Sequence, residues 1–530
     1  MSSLRRCLAI ALVLGCLVNM ALAAREEIER INQDEPIATA FDEDAWYSFN
    51  VARNVASGDG VTVDGTHATT GFQPLWTFGL AVPFVLHDNV KVALAGVASI
   101  SFALWLLGAF LFSGIVVHLY RPKWLRHHEV FLLAAFVFLA DRWLRNMFFN
   151  GLETGLCIVL LLLVSRFLLA PQPSPSTRTD LYFGLLLGLV LLARIDGLLI
   201  VAAAVTLRVL LHRPAQTLRS IVVPSAVALG CLSPWLVFSF ATTGSPLPQT
   251  ARATGAQLAP YVPSSTVRVR LESAVDRIVE MSYWPYVPGR LETSRTGVYV
   301  VAALIAVVAL ALLRPALRRW SARQRWVSGV IAGSVVLFVA TYVLNNRSYW
   351  FYARYFTPIR VIVLALLTLA VVRAIELVGP RMEIVTVAGL TALVIASTTA
   401  VVRPEFPDVV SVYTLGPEII TLRRTDAFDG CGLIGMAESG RTGYAFPTRI
   451  VNLDGKVNVD ALEAIADGRH VDYLDESGIR VVYLRYLGFS LDEIDAQLGG
   501  RFDLHTDPHN PAAVIGVRKG FDCASASGQP

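Results

Sequence analysis

The chain has 530 residues, of which 54% are hydrophobic and only 16% charged, with a formal net charge of +4. Soluble proteins carry about 25% charged residues, so this balance excludes an ordinary soluble protein, and no basic run is long enough to suggest a nucleic-acid partner. Long apolar runs alternate with short polar ones, which is the pattern of a polytopic α-helical membrane protein.

The first apolar run, 8–24, follows Arg5 and Arg6. It reads either as a span or as a signal peptide, since Met20-Ala-Leu-Ala-Ala24 resembles a small-residue cleavage site. The uncleaved reading accords better with the later loops. In both cases Arg5 and Arg6 stay cytoplasmic and the following segment, 25–90, is exported. Further spans are expected near 91–119, 129–148, 153–170, 181–195, 196–211, 219–241, 297–314, 326–345, 359–378 and 384–402. That makes about eleven, N-in and C-out. The orientation keeps the basic loops inside, above all Arg314-Pro-Ala-Leu-Arg-Arg-Trp-Ser-Ala-Arg-Gln-Arg325. It also decides two ambiguous runs. The segment 73–86, with Pro74 and Pro83, reads as an outer-face helix in the interface. The run 181–211 reads as two short spans turning at Arg194-Ile-Asp-Gly197, because a charged pair in mid-membrane is costly.

Residues 1–402 are thus expected to form a membrane domain with two large outer loops, 25–90 and 243–296. Residues 403–530 are expected to form a small extracytoplasmic α/β domain. Its strands are predicted around Arg449-Ile-Val-Asn-Leu and Ile479-Arg-Val-Val-Tyr-Leu, its helices over 459–467 and 491–498. Cys7, Cys16, Cys157 and Cys231 lie in apolar runs as small hydrophobes. Cys431 and Cys523 lie in the tail. An exported tail sits in an oxidising space, so they are a candidate disulfide; two free thiols is the other reading. The sequence has no metal-ligand spacing of Cys and His.

The first outer loop carries the most chemistry. Residues 43–56 have helical periodicity, with Ala45, Phe49, Ala52 and Ala56 on one stripe and Glu43, Tyr47, Asn50 and Asn54 on another. Such a helix is expected to lie along the membrane surface. Asp42, Glu43 and Asp44 cluster at its start. They read as a cap and dipole complement, or as the place of a general base with Arg53 near to hold a phosphate. Both readings stand at this point. His67, in the polar turn that follows, reads as a base, a metal ligand or, preferably, a solvated loop side chain.

Other polar clusters fall on the same expected face: Asn150-Gly-Leu-Glu-Thr-Gly155, Arg194-Ile-Asp-Gly197, Thr243-Gly-Ser-Pro-Leu-Pro-Gln-Thr250, and a stretch from Arg347 to Pro358. The cytoplasmic loops hold basic residues and little else, so the site is expected to face outward. Nucleotide sugars and ATP are cytoplasmic, and the chain has no phosphate-binding glycine loop of the usual spacing. An activated group on the outer face would arrive on a membrane lipid. Its phosphate needs Arg or Lys, and a hydroxyl acceptor needs a base, which Asp44 or Glu43 can supply.

In this light the sequence resembles the membrane-embedded glycosyltransferases of the GT-C superfamily. The likeness is carried by Glu43-Asp44-Ala-Trp-Tyr with Ala52-Arg-Asn54, Gly58-Asp-Gly60 and Gly71-Phe-Gln-Pro-Leu-Trp76. It continues in Gly151-Leu-Glu153, Ala193-Arg-Ile-Asp-Gly197, Gly244-Ser-Pro-Leu-Pro248 and Ala353-Arg-Tyr355. Gly443-Tyr444, Val451-Asn-Leu-Asp-Gly455 and Val457-Asn458 extend it into the tail. The resemblance implies an inverting transfer from a polyprenyl-phosphate sugar to a hydroxyl of an envelope glycan or glycoconjugate. It implies Asp44 as base with Glu43 beside it. It places Tyr47, Arg53, His67, Gln73, Glu153, Arg194, Asp196, Arg354 and Tyr355 among donor-phosphate and substrate contacts. The tail is similar to that of arabinofuranosyl- and mannosyltransferases of envelope assembly. No second acidic motif of the metal-dependent kind is evident, so neither metal nor cofactor is expected. The expected location is the cell membrane, with the site and tail outside. A lipid-linked sugar transporter would instead show mid-membrane ionisable residues and symmetric halves. A non-catalytic assembly protein would leave the first-loop pattern unexplained.

Overall fold

The computed structural model describes residues 2–33, 36–120, 122, 125–170, 176–211, 214–258, 295–344, 353–378, 419, 422, 432–447, 449–485, 490–507 and 510–521. The helices through the membrane portion are α1 (Ser2–Asn32), α2 (Pro36–Thr39), α3 (Ala45–Ser57), α4 (Pro74–Leu86), α5 (Val90–Leu119), α6 (His127–Ala140), α7 (Arg142–Phe149), α8 (Thr154–Leu169), α9 (Thr177–Ala193), α10 (Leu198–Leu211), α11 (Pro214–Thr243), α12 (Gln249–Leu258), α13 (Arg295–Arg318), α14 (Ala322–Leu344) and α15 (Thr357–Val378). The tail runs β1 (Ile434–Met436), α16 (Gly440–Ala445), β2 (Ile450–Asn452), α17 (Val459–Ala466), α18 (His470–Glu476), β3 (Val481–Arg485), α19 (Leu491–Gln497), β4 (Phe502–Asp507) and β5 (Asn510–Arg518). The chain divides into two compact units, one of residues 1–27, 98–233 and 264–406, the other of 28–97, 234–263 and 407–530.

The protein is a polytopic α-helical membrane protein with a small α/β tail. Among the described residues, five helices are long and apolar enough to cross a bilayer, or six with the bent pair α7–α8 counted as one. The expected span 384–402 lies outside the described residues.

In the first unit, the expected single span 129–148 is two helices. Asp141 has an extended backbone and accepts the Leu144 N–H at 2.8 Å, capping α7 and ending α6. An aspartate bonds nearby backbone more readily than it continues a helix. At the next break, α7 and α8 meet at 112°. The run 181–211 is likewise broken where the charges fall, since a 3₁₀ turn over Ile195–Gly197 separates α9 from α10. Gly184 and Gly188 let α9 approach its neighbour closely. A Cβ at Gly184 would meet Pro224 and Val227 at 2.7 Å, and one at Gly188 would meet Cys231 at 2.7 Å. Small residues at helix contacts serve this purpose in membrane proteins.

In the second unit, the tail forms a five-stranded sheet of order β2-β1-β3-β5-β4, parallel among β1, β2 and β3 and antiparallel at β5 and β4. Alternating residues serve opposite faces. Ile434, Met436, Ile450, Val481 and Tyr483 fill one layer. Val451, Val482, Phe502 and Val514 fill the other, together with Leu474 and Ile494 of α18 and α19. The strands and helices predicted at 449–453, 479–484, 459–467 and 491–498 all form, within a few residues.

The same unit contains α3. In it, Tyr47, Asn50 and Asn54 are buried with Trp46, Phe49 and Ala52. The polar stripe meets tail groups that satisfy it: Asn50 Nδ2 donates to the Gly440 carbonyl at 2.7 Å. Periodicity shows that two faces differ, but a polar face can be buried wherever another segment supplies its hydrogen bonds. Gly58, at φ +88°, closes α3 in the left-handed conformation.

Candidate functional site

The sequence-predicted site residues fall into two groups, one in each unit. Glu43, Asp44, Tyr47, Arg53, His67 and Gln73 lie in the second unit; Glu153, Arg194, Asp196, Arg354 and Tyr355 lie in the first. Cys431 and Cys523 lie outside the described residues.

The group around the start of α3 is built by the tail. Asp44 occupies the N-cap position, yet its carboxylate makes no capping bond to the helix. Glu43 is differently engaged. Its Oε1 accepts the backbone N–H of Arg441 at 2.9 Å, and its Oε2 lies 3.4 Å from the Arg441 Nε. Arg441 is itself buried and donates to the Phe41 carbonyl at 3.0 Å. One helical turn along α3, the Tyr47 hydroxyl accepts the Ser439 N–H at 3.1 Å and Asn452 Nδ2 at 3.4 Å. Burial first, then the charge of Asp454, holds the Tyr47 pKa well above the ordinary phenol value.

Next to Tyr47 stands the turn Asp454-Gly455-Lys456. Asp454 accepts the Lys456 N–H at 2.9 Å, and its other oxygen lies 3.5 Å from Lys456 Nζ. Burial raises the Asp454 pKa in spite of Lys456. Burial also works against the Lys456 ammonium. The charges of Asp454, Asp44 and Glu438, with the Tyr47 hydroxyl, outweigh it and hold its pKa well above the ordinary lysine range. Three carboxylates thus act on one ammonium. Lys456 was not named in the sequence, and Asp454 was quoted only within the tail motif Val451-Asn-Leu-Asp-Gly455, without a role.

Arg53 and His67 take other positions. The Arg53 guanidinium lies 4.2 Å from the Tyr444 ring centre, donates to the Tyr444 carbonyl at 3.0 Å, and meets Asn50 Oδ1 at 3.1 Å. His67 Nδ1 lies 2.7 Å from Asp64 Oδ2, and Nε2 is 3.7 Å from Asp460 on α17. The Asp64 bond raises the His67 pKa. For Asp64, burial is outweighed by the bonds from His67 and Thr66, and its pKa falls to about 2. Gln73 is the residue before α4, half-buried, with no side-chain capping bond.

In the first unit, the predicted residues do come together. Arg194 Nη1 meets Glu153 Oε1 at 2.6 Å, Nη2 meets Asp196 Oδ2 at 2.6 Å, and Nε meets Asp196 Oδ1 at 3.0 Å. Tyr355 lies under the Arg194 guanidinium at 4.8 Å and under that of Arg354 at 5.3 Å. The 3₁₀ turn after Arg194 makes this possible, because it brings Asp196 back beside Arg194. Two arginines share one aromatic ring, and one of them holds two carboxylates. Among the described residues, no group of three or more His, Cys, Asp and Glu is arranged to hold a metal ion.

The structure is similar to the oligosaccharyltransferase of Archaeoglobus fulgidus in a complex with Zn and sulfate. The TM-score is 0.53 at 12% identity, over 90% of this chain and 68% of that one. It is similar again to the oligosaccharyltransferase AglB of Archaeoglobus fulgidus with an inhibitory peptide and a dolichol-phosphate. There the TM-score is 0.53 at 10% identity, over 96% of this chain and 74% of that one. The chain has the GT-C fold. ArnT of Cupriavidus metallidurans bound to undecaprenyl phosphate gives a TM-score of 0.41 at 12% identity, over 94% of this chain and 97% of that one. No family model and no curated protein matches the sequence. The GT-C fold covers nearly the whole chain, which agrees with a likeness whose motifs run from residue 43 to residue 458.

Proposed function

We propose that the protein transfers a sugar from a polyprenyl-phosphate donor to a hydroxyl of an envelope glycan or glycoconjugate, on the extracytoplasmic face of the cell membrane. The observation that carries this reading is the GT-C fold shared with an oligosaccharyltransferase held with a dolichol-phosphate. In the transfer the acceptor oxygen attacks the anomeric carbon from the face opposite the phosphate. The bond between that carbon and the phosphate oxygen breaks, and polyprenyl phosphate leaves with its electrons. The acceptor proton passes to a carboxylate, which is general-base catalysis. Asp44 is the candidate base, as the resemblance implies, with Glu43 beside it bound to Arg441 by a hydrogen bond and an ion pair. Arg194 and Arg354 are the candidate phosphate contacts of the first unit, since guanidinium groups match phosphate oxygens in pairs. Tyr355 would then hold both guanidinium planes.

The test is a panel of radiolabelled polyprenyl-phosphate sugars given to membranes that contain the full chain. The reading expects at least one donor to release polyprenyl phosphate and label a glycan with inverted anomeric configuration. Proper insertion without transfer from any donor would favour the transporter or assembly readings.

A further inference from the structure

The stretch 314–325, from the end of α13 to the start of α14, holds Arg314, Arg318, Arg319, Arg323 and Arg325 and no acidic residue. A capping box starts α14: the Gln324 N–H donates to the Ser321 hydroxyl at 3.2 Å, and Gln324 Oε1 accepts the Ser321 N–H at 2.9 Å. The same side chain donates from Nε2 to the His118 carbonyl at the end of α5, at 2.8 Å. Arg323 Nε donates to the Leu168 carbonyl at the end of α8, also at 2.8 Å. These bonds set the rotation of α14. Val327, Ile331 and Val335 are buried on its inner side, and the helix packs on α8 and α10. The opposite side is open: Arg325, Trp326, Gly329 and Gly333 are exposed on it, followed by Val336 and Leu337. A hollow there is lined by Arg325, Trp326, Gly329 and Val330. A Cβ at Gly329 or Gly333 would meet nothing within 4 Å. Among the described residues, no carboxylate pairs with Arg314, Arg318, Arg319 or Arg325. Two acids at the same end of the bundle are taken elsewhere, Glu376 by Arg373 and Tyr120, and Asp180 by Arg208 and Arg219.

We propose that this face seats an anionic glycerophospholipid of the bilayer, with its phosphate on Arg325 beside the Trp326 ring and an acyl chain in the slot over Gly329 and Gly333. A guanidinium presents paired donors to phosphate oxygens. Tryptophan settles at the headgroup level of a membrane, and small residues let a neighbour come close to the helix backbone. Arg314, Arg318 and Arg319 add positive charge at that level, each worth about fivefold in binding. An unpaired positive excess favours an anionic headgroup over a zwitterionic one. The occupant is distinct from a sugar donor at the Arg194 set. Glu153 and Leu168 stand at opposite ends of α8, roughly 20 Å apart. Arg194 binds the first and Arg323 the second, so this lipid belongs to the leaflet opposite the candidate phosphate contacts.

The full-length protein, purified in detergent, is titrated with phosphatidylglycerol or phosphatidylcholine and followed by native mass spectrometry and thermal unfolding. Phosphatidylglycerol is expected to bind the wild type more tightly and to raise its unfolding temperature. Arg325→Gln is expected to weaken that binding about fivefold or more. Gly329→Leu with Gly333→Leu fills the slot without changing any charge, and is expected to weaken it as well. Gly230→Leu, at an exposed glycine of α11 with the same open space, is expected to leave it unchanged. All four positions are exposed, so the lipid-free variants should unfold as the wild type does. Equal affinity for the two lipids would overturn the proposal. So would wild-type binding by Arg325→Gln or by the glycine pair, or a loss in Gly230→Leu as large as that of the pair. A wild-type dimer that the glycine pair abolishes would give the face to a second copy of this chain. Tighter binding of polyprenyl phosphate than of phosphatidylglycerol would give it to the carrier lipid. Either result would overturn the proposal too.

Discussion

The ionised groups of the first unit are held in close contacts of two or three with groups of opposite sign, whereas beside α3 in the second unit several carboxylates crowd one ammonium. Asp141 and Arg360, both fully buried, bond each other, with Arg360 Nε at 3.0 Å. Buried Asp180 takes Arg208 and Arg219, and Arg194 takes Glu153 and Asp196. Arg145 reaches Glu26 at 3.2 Å. Around Lys456, by contrast, Asp44, Glu438 and Asp454 act on one ammonium. The difference teaches where to look for chemistry. Helices packed for a bilayer keep charges in matched partners, because an isolated charge in a low dielectric is too costly. A local excess of carboxylates suits a base more than a phosphate site.

Substitutions can break this contrast, and the largest stability effect is expected in the first unit. Arg360→Met leaves Asp141 buried without its partner, and breaking a buried pair in this way costs about 3–5 kcal/mol. The double change Arg360→Met with Asp141→Leu should recover much of the loss, as seen in thermal unfolding in detergent. Recovery would mark the pair as a neutral structural set. Failure to recover would give it a further role, as the cap of α7 or in function.

A middle-sized effect is expected from Gly71→Ala. The new methyl group would meet the Lys456 carbonyl oxygen and must displace the Lys456 backbone, and overpacking of this kind costs about 1–3 kcal/mol. Limited proteolysis of the tail should speed up accordingly. A silent Gly71→Ala would mean that the close approach of the first loop to Lys456 is not needed.

The smallest effect is expected at His67, which is about one-third exposed. Its folded pKa is raised by Asp64, so its contribution is fully present below the ordinary histidine range and is lost as pH rises through the raised value. The Asp64 pKa is lowered to about 2, so that contribution is present above the ordinary aspartate value and lost as pH falls through about 2. The pair is therefore strongest from about pH 4 to pH 6.5. His67→Gln should lower thermal stability by less than about 1 kcal/mol, and the loss should fade above neutral pH. A loss that grows at alkaline pH would contradict the pairing.

Much of the fold was legible in the sequence because apolar length and period report it directly. The break at Arg194 could be placed from the cost of charge in a membrane. The break at Asp141 was not placed, since the apolar run hides a single capping residue. In the tail, strand and helix periods gave the elements at 450–452 and 459–466, but β4 and β5 alternate less cleanly and were missed. Of the candidate site residues, Glu153, Arg194, Asp196 and Tyr355 were named from three separate stretches, and the structure brings these side chains together. Lys456 was not named, and Gln249 was quoted only within the polar cluster 243–250. Each is an ordinary residue in its own segment, and only the folded contact with residues 69–71 gives it meaning.

The most direct test of the account compares purified, reconstituted wild type with Asp44→Asn in a single turnover, using the polyprenyl-phosphate sugar that serves the wild type best. Loss of a positioned general base lowers the rate by about 10²–10⁴-fold. The account predicts a loss of that size in Asp44→Asn at an unchanged unfolding temperature. Equal release of polyprenyl phosphate by the two proteins would contradict it.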